Sequence, residues 1–329
     1  MDAVDELIVA ESPQTDSVWV LGRPSLLPVA GDNVMAWADD CRDLTAIPQA
    51  IRLNPLAAGA VSTSPVVWMG LPTGLDELDE LFGNLWRTLG PEAHIVAGGR
   101  IKHMSRSMND VAARWFNDVH ASLGVRKARV LHFSSPRERP AITGEWPRTN
   151  TVNGLTIRAH GGVFHTAGLD AGTSLLLDHL DDVAADVDSD VVDLGCGNGV
   201  ISAHLAQRLP HARVHATDVS WQAVDSTRLT ADANGLSIVT HWCDGLADLP
   251  DDSVGVVVTN PPFHRGTAQD HAPTVAMLTD AARALHPGGT LWCVFNNHLP
   301  WASHVKRLIG PTRQVARNRQ YTVIRAVRR

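Results

Sequence analysis

The sequence has few cysteines and no long apolar run, and both absences narrow the class of protein. Its four cysteines, Cys41, Cys196, Cys243 and Cys293, stand far apart without a C-x-x-C pair, so neither a disulfide framework nor a structural metal is indicated. No apolar stretch approaches the roughly 18 residues of a membrane helix. The first eleven residues carry four acids and no base, unlike a signal peptide. We therefore expect a cytoplasmic protein that has no metal site and does not contact a membrane.

Positive charge is scarce over the whole chain, whose net charge is −7, but it is concentrated in two regions. Residues 100–139 hold nine Lys or Arg against three acids, and residues 281–329 hold nine and no acid. The net charge argues against nucleic-acid binding over the whole surface, yet these regions could form a phosphate-binding face. Arg126, Lys127 and Arg129 are the candidate RNA contacts. The alternative is that these charges lie on solvated helix faces and strand edges.

Glycines at alternate positions follow a short apolar run at residues 191–199, Val-Val-Asp-Leu-Gly-Cys-Gly-Asn-Gly. The run, the turn and the helix-compatible Val200–Leu209 are typical of the first strand, loop and helix of a nucleotide-binding βαβ unit. Glycine reaches positive φ and lets the backbone touch a ligand. Because Asp193 would repel a pyrophosphate, the loop suits a ligand with a positive charge and an amino group, such as S-adenosylmethionine. The alternative is an ordinary glycine-rich turn.

Two later strands lead to acids that suit the same ligand. The strand predicted at Arg213–Val219 carries Asp218 near its end, 25 residues beyond Asp193, where a carboxylate can accept both hydroxyls of a ribose. The strand predicted at Ser237–Trp242 leads to Asp244, whose carboxylate could take the amino group of an adenine. Both acids therefore extend the predicted cofactor site.

A second motif, Asn260-Pro261-Pro262-Phe263, follows the strand predicted at Val254–Thr259. Two prolines fix an extended turn, so the Asn260 carboxamide and the Pro261 carbonyl can point at one spot. A planar exocyclic amine needs two such acceptors to hold both hydrogens and turn its lone pair toward a methyl donor. Phe263 offers a face on which a base can stack. The alternative is a proline-rich strand end without a catalytic role.

A glycine-rich segment precedes the glycine loop by about twenty residues and could fold over the ligand. It contains Phe164 and Asp170, each flanked by glycines, and leads into a helix predicted at Ser174–Leu180. The alternative is a simple helix N-terminus with Thr173 as the capping residue.

The pattern predicts an α/β protein of two domains, residues 1–140 and 154–329, joined by a proline-interrupted linker at 141–153. The first half lacks a second D-x-G-x-G loop. Its predicted strands are Ser17–Gly22, Asn33–Ala38, Gln49–Leu53, Pro65–Gly70, His94–Ala97 and Arg129–Phe133, and its predicted helices are Leu75–Leu89 and Met108–Leu123. The second half is predicted to form a seven-stranded sheet that closes with an antiparallel hairpin, Arg313–Arg317 and Tyr321–Val327.

These motifs together make the second half resemble bacterial ribosomal RNA guanine-N2 methyltransferases of the RsmC/RlmG type. The resemblance covers Gly161 to the C-terminus and rests on Gly162–Phe164, Gly168–Thr173, Asp193–Gly199 and Asn260–His264. It implies two Rossmann-like methyltransferase domains, of which the N-terminal one is a degenerate copy and the C-terminal one has a class I methyltransferase sheet. In the first half only the α/β pattern and Ile95–His103 support it. The basic residues of the first half lead us to expect that the N-terminal domain serves RNA docking.

The resemblance implies transfer of a methyl group from S-adenosylmethionine to the N2 amine of a guanine, with ribosomal RNA or a ribosomal subunit particle as partner. We also expect a monomer. The implied catalytic residues are Asn260, Pro261 and Phe263. The implied cofactor contacts are Phe164, Asp170, Thr173, Asp193, Gly195, Cys196, Gly197, Asn198, Gly199, Asp218, Val219, Cys243, Asp244 and Asn260.

Two alternatives remain open at this point. Another planar amine, adenine N6 or a protein glutamine, could be the acceptor, because the Asn-Pro-Pro-aromatic motif serves all three. A non-catalytic RNA-binding assembly protein is the other alternative, although the intact Asp193, Asp218, Asp244 and Asn260 speak against it.

Overall fold

The computed structural model describes residues 1–57, 64–142, 144–188, 190–261 and 272–329. The chain forms two compact units, Met1–Pro147 (unit 1) and Arg148–Arg329 (unit 2). Within the described ranges, no helix has both the length and the apolar character needed to cross a bilayer.

Unit 1 is built on a six-stranded sheet in the order β2-β1-β3-β4-β6-β5. Strands β1 to β4 run parallel, and β6 is antiparallel to both β4 and β5. Its strands are β1 (Val18–Leu21), β2 (Val34–Trp37), β3 (Val66–Gly70), β4 (His94–Arg100), β5 (Phe116–Ala121) and β6 (Ala128–Pro136), and its helices are α1 (Ala3–Glu11), α2 (Cys41–Leu44), α3 (Leu75–Thr88) and α4 (Arg106–Ala112).

Unit 2 is built on a seven-stranded sheet in the order β11-β10-β9-β12-β13-β15-β14, preceded by a separate β7–β8 hairpin. Its strands are β7 (Arg148–Val152), β8 (Leu155–Ala159), β9 (Asp190–Leu194), β10 (Arg213–Asp218), β11 (Val239–Trp242), β12 (Val254–Thr259), β13 (Leu285–Asn296), β14 (Thr312–Arg317) and β15 (Tyr321–Val327). Its helices are α5 (Ala171–Leu177), α6 (Leu180–Ala184), α7 (Val200–Arg208), α8 (Trp221–Asn234), α9 (Ala272–Ala284) and α10 (Trp301–Leu308).

Both faces of the unit 2 sheet are buried, which explains the unbroken valine runs of its central strands. Successive side chains of a strand point to opposite faces. Accordingly Val191 of β9 belongs to the core layer that contains α7 residues, and Val192 belongs to the layer that contains α9 and α10 residues. A strand covered on both faces is expected to be apolar at every position, as in other parallel sheets.

The two units share one strand order, which confirms the predicted fold class. Removing the edge strand β11 from unit 2 leaves six strands whose order and directions match those of unit 1. Unit 1 is therefore a reduced copy of the unit 2 sheet. At the place where unit 2 has its glycine loop, after β9, unit 1 has Gly22 after β1, followed by a short 3₁₀ helix at Pro24–Val29.

The predicted helix at Met108–Leu123 is wrong beyond Ala112. Helix α4 ends there, and the chain continues as strand β5 from Phe116. The ring of Phe116 is buried against Phe82 and Phe133, and β5 pairs with β6 along its length. Pairing with a strand that follows later in the chain has outweighed the local helical pattern.

Three further boundaries differ from the prediction. The strand expected at Gln49–Leu53 is a 3₁₀ helix at Gln49–Ile51, and the following Arg52 makes one bridge to Ala36 of β2. Helix α1 was not predicted. The predicted linker 141–153 is too long, because residues 148–152 form β7 and pair with β8. Unit 2 consequently begins at Arg148 rather than at residue 154.

Candidate functional site

The glycine loop lies between β9 and α7 and has positive φ at all three glycines, 79° at Gly195, 55° at Gly197 and 79° at Gly199. Gly195 and Gly197 are partly exposed, so their backbone is open to a ligand. Gly199 is buried at the N-cap of α7, where a Cβ would lie 2.8 Å from the Cα of Thr227. The third glycine therefore serves helix packing, whereas the first two leave their backbone partly exposed at the loop surface.

Asp218 lies at the end of β10 and connects this strand to the loop. Its Oδ2 accepts from the backbone N–H of Gly197 at 3.2 Å and its Oδ1 from that of Ser220 at 3.0 Å. A carboxylate has about four acceptor positions, so both oxygens can accept further hydrogens, as from two ribose hydroxyls. The neighbouring Val219 is half-buried, and its carbonyl accepts from the Trp242 indole at 2.8 Å.

Asp193 lies in β9 directly before the glycine loop, and its side chain is buried. It has no exposed surface, and its Oδ2 accepts from the backbone N–H (3.0 Å) and the hydroxyl (2.5 Å) of Ser202 in the first turn of α7. Burial raises its pKa to about 7. The Asp193 carboxylate thus connects β9 to the first turn of α7 beneath the loop, and its predicted contact with the cofactor stays a prediction. Burial likewise raises the pKa of the Cys196 thiol well above its usual value, which disfavours the thiolate form that a nucleophile needs.

The segment predicted to fold over the loop is held against it by Asn198. The buried Asn198 carboxamide donates from Nδ2 to the carbonyls of Thr166 (2.8 Å) and Gly168 (2.9 Å). The Gly162 N–H donates to Gln222 Oε1 at 3.1 Å. Phe164, at the outer part of the segment, is 66% exposed. Asn198 consequently connects the glycine loop to this segment by hydrogen bonds. The aromatic ring of Phe164 is exposed.

Asn260 lies where β12 ends, next to β9 in the sheet, and its amide group is held at both hydrogens. Its Nδ2 donates to Asp170 Oδ2 at 3.0 Å and to Thr173 Oγ1 at 2.9 Å. With both N–H groups engaged, Oδ1 remains as the acceptor. Pro261 is buried beside it, and Phe263 lies outside the described residues. The glycine-rich segment that contains Asp170 and the motif that begins at Asn260, 90 residues apart, therefore meet at one hydrogen-bond network.

The cap of α5 is Asp170, not Thr173 as expected. Asp170 Oδ2 accepts from the N–H groups of Gly172 (2.9 Å) and Thr173 (3.0 Å). Thr173, within the first turn and buried, is free to direct its hydroxyl oxygen to Asn260. One carboxylate oxygen thus fixes both the helix N-terminus and the Asn260 side chain.

Asp244 is exposed after β11, and the turn that carries it is held by residues the sequence analysis missed. Asp280 of α9 accepts from the Leu246 N–H, and a Cβ at Gly245 would lie 2.6 Å from its Oδ2. Arg283 donates to the Leu246 carbonyl at 2.7 Å and pairs with Asp280 at 2.7 Å. Cys243 is buried behind this turn. Because Asp280 is 34 residues from Leu246, no local pattern could have revealed it.

Tyr321 is a second missed residue near the site. The ring of this sole tyrosine lies 3.0 Å from where a Gly172 Cβ would be, so a larger residue at the start of α5 would crowd the ring. Burial and the nearby Asp170 raise the pKa of its hydroxyl. Tyr321, the first residue of β15, therefore lies close to Asp170, which binds Asn260 after the end of β12.

Of the three basic residues Arg126, Lys127 and Arg129 (the basic turn), the first two lie in the connection between β5 and β6, and Arg129 is the second residue of β6. Arg126 and Lys127 have positive φ, 48° and 64°, between the paired Val125 and Ala128. Arg126 pairs with Glu6 of α1, whereas Lys127 is exposed. Two consecutive positive φ values are typical of a tight hairpin turn, which presents charge outward.

Comparison with known proteins places both units in recognised families. The family of the methyltransferase small domain matches residues 154–325, and the RLMG N-terminal domain family matches residues 33–138. Ribosomal RNA large subunit methyltransferase G of Pseudomonas paraeruginosa is 34% identical over 84% of this chain and 74% of its own length. The protein of the same name from Streptomyces coelicolor is 35% identical over 85% and 76%, and that from Erwinia tasmaniensis is 32% identical over 91% and 83%.

A solved structure is similar along the entire chain. The T. thermophilus 16S rRNA N2 G1207 methyltransferase (RsmC), in complex with AdoMet and guanosine, gives a TM-score of 0.82 at 23% identity and covers 100% of this chain and 92% of its own. At this identity the likeness establishes the fold.

Proposed function

The chain belongs to the ribosomal RNA large subunit methyltransferase G family, and we propose that it methylates the N2 amine of a guanine in large-subunit ribosomal RNA. The family makes it an S-adenosylmethionine-dependent methyltransferase. The choice of the large subunit follows the names of the relatives. The choice of guanine N2 is supported by the solved relative that binds guanosine, together with the Asn260 geometry.

The residues around the loop fit the cofactor. The partly exposed backbone of Gly195 and Gly197 would hold its methionine part, Asp218 its ribose and the exposed Asp244 its adenine. When bound, S-adenosylmethionine supplies a methyl group on a positively charged sulfur. Asp193, Cys196 and the other buried side chains of the site act on the loop from behind and hold its shape.

The acceptor site is supported above all by one observation, the fixed orientation of the Asn260 amide. Since Asp170 and Thr173 occupy both N–H groups, Oδ1 is directed away from them as an acceptor for one amine hydrogen. The Pro261 carbonyl would take the other hydrogen. Holding both hydrogens turns the nitrogen lone pair toward the methyl donor, so the rate gain comes mostly from orientation and from electrostatic preorganisation. This path requires no covalent nucleophile.

We assign the two units different tasks. Unit 2 carries the reaction, and unit 1, which has no glycine loop, docks RNA through the basic turn. The target guanine must be unstacked or single-stranded to reach Asn260. A monomeric, cytoplasmic enzyme is consistent with this proposal.

The experiment is nucleoside mass spectrometry of large-subunit ribosomal RNA from cells that lack the protein. We expect N2-methylguanosine to be lost at one position and restored by the wild-type gene but not by Asn260→Ala. The matched control is Asn109→Ala, an exposed asparagine of α4 in unit 1, which should restore the mark. Calorimetry should show the same S-adenosylmethionine affinity for both variants. Loss of N6-methyladenosine instead would identify the other amine, and unchanged nucleosides would refute the ribosomal RNA assignment.

A further inference from the structure

The turn that joins β14 to β15, Arg317–Gln320 (the 317–320 turn), is firmly held. Asn318 Oδ1 accepts from the N–H groups of Gln320 (2.9 Å) and Tyr321 (2.7 Å). The Asn297 side chain donates to the Asn318 carbonyl at 2.8 Å, and the Asn297 N–H donates to the Gln320 carbonyl at 2.8 Å. A turn fixed by side-chain and backbone bonds presents its charged groups in a defined geometry.

The 317–320 turn carries positive charge that the described part of the chain does not neutralise. Arg317 and Arg319 are exposed, and neither has an ion-pair partner among the described residues. Arg325 and Arg328 of the same hairpin differ, because they pair with Asp186 and Asp252. No acid lies near Arg317 or Arg319 in the sequence, because residues 281–329 contain none.

The 317–320 turn also lies at the edge of the sheet where the reaction site is built. Strand β14 runs parallel to β13 and β12, since both β13 and β14 are antiparallel to β15. Its end at Arg317 is therefore at the same edge as the end of β12, which Asn260 follows. Tyr321, the residue after the turn, packs on Gly172 next to Asp170, which holds Asn260.

A cavity of about 500 Å³ opens against the 317–320 turn, and the described residues that line it are Asn318, Arg319 and Gln320. Guanidinium groups are suited to phosphate because their planar fork can bind two oxygens at once. The open cavity thus lies against an exposed arginine whose charge no described residue neutralises.

We propose that the 317–320 turn binds the phosphates of the RNA strand that flanks the target nucleotide, through Arg317 and Arg319. The proposal rests on the proposed function, because it places a single-stranded RNA substrate at the Asn260 edge. The target base must leave its stack, so the adjacent backbone needs a contact close to the reaction site in addition to any docking by unit 1.

The test compares full-length Arg317→Gln/Arg319→Gln with Lys306→Gln/Arg313→Gln. The control residues are also exposed and lie in the same acid-free region, but Arg313 is four residues earlier in β14, roughly 13 Å away toward the opposite edge. Lys306 lies in the last turn of α10, which leads to that edge. The probe is a fluorescein-labelled single-stranded RNA of about 15 nucleotides, the usual upper range of such binding sites. Its affinity is measured by anisotropy over a series of KCl concentrations.

We expect the turn variant to reduce the log–log salt slope by about 1.4, or 0.7 for each phosphate contact, and the control variant to keep the wild-type slope. Methylation of protein-free large-subunit RNA by the turn variant should show a raised KM, while S-adenosylmethionine affinity by calorimetry stays at the wild-type value. A charge-keeping Arg317→Lys/Arg319→Lys variant should retain most of the slope.

Three results would overturn the inference: a wild-type slope in the turn variant, an equal loss in the control variant, or equal weakening of S-adenosylmethionine binding in the turn and charge-keeping variants. In each of these cases a wild-type enzyme that still methylates large-subunit RNA leaves the proposed function intact. Failure of the wild-type enzyme to methylate that RNA would instead refute the proposed function.

Discussion

Replacing Thr173 by valine distinguishes two roles for this residue. The resemblance to guanine-N2 methyltransferases implies a cofactor contact, whereas in the structure the Thr173 hydroxyl accepts from Asn260 Nδ2 at 2.9 Å. Valine has nearly the same shape as threonine and removes only the hydroxyl. If Thr173 positions Asn260, the substitution should lower turnover and leave S-adenosylmethionine affinity unchanged.

The size of the effect follows from the hydrogen bonds of Asn260. After the substitution one of its N–H groups keeps Asp170 as acceptor, and the other loses its partner. An unsatisfied buried donor costs about 1–3 kcal/mol, and because Asn260 is only half-buried we take about 1–2 kcal/mol. If this energy is lost from the oriented transition state, kcat falls roughly 5- to 30-fold, at 1.36 kcal/mol for each tenfold change.

The assay is single-turnover methylation of large-subunit RNA, combined with calorimetric titration of S-adenosylmethionine. Thr173→Ser is the matched control, because it keeps the hydroxyl and should retain turnover within about twofold, corresponding to less than 0.5 kcal/mol. Urea unfolding of all three proteins shows whether α5 remains folded. A Thr173→Val enzyme with weakened cofactor binding and unchanged single-turnover rate would refute the positioning role and restore the cofactor-contact assignment.

Three further predictions concern the cofactor, the RNA and the pH dependence. Asp218→Ala should weaken S-adenosylmethionine binding by about 1.5–3 kcal/mol, measured by calorimetry, whereas the exposed Asp232→Ala should not; equal affinities would remove Asp218 from the site. Replacing all three residues of the basic turn by glutamine should flatten the salt slope of RNA binding by about 2 without affecting the cofactor, and an unchanged slope would leave unit 1 without a docking role. Burial and neighbouring imidazoles lower the pKa of His94 and of His132 below the value of about 6.5 in the unfolded chain. As the pH falls below about 6.5, the unfolded chain therefore binds protons before the folded one does, and the free energy of unfolding decreases. Urea unfolding at pH 7.5 and 5.5 should show this loss, and His94→Gln/His132→Gln should reduce it; an equal loss in that variant would contradict the assignment.

The sequence by itself determined the elements whose signal is local. The apolar run before Gly195, the positive-φ glycines and the valines of β12 specify backbone conformation and burial over a few residues, and the structure has the strand, loop and helix where these patterns predicted them. The end of α8 has the same kind of cause, because Gly235 at positive φ ends the helix directly after Asn234. Motif spacing was also sufficient to identify the family.

Tertiary structure decided which side chains meet and which way they face. Asn260 reaches Asp170 and Thr173 only because β12 lies beside β9 and α5 approaches the same sheet edge, an arrangement set by strand order rather than by any local pattern. Asp193 was recognised as part of the loop motif, but the helix packed over β9 turned its carboxylate inward to Ser202. Local sequence fixes backbone torsions and the period of burial, whereas the partner of a polar side chain depends on segments tens of residues away that come together only when the core packs.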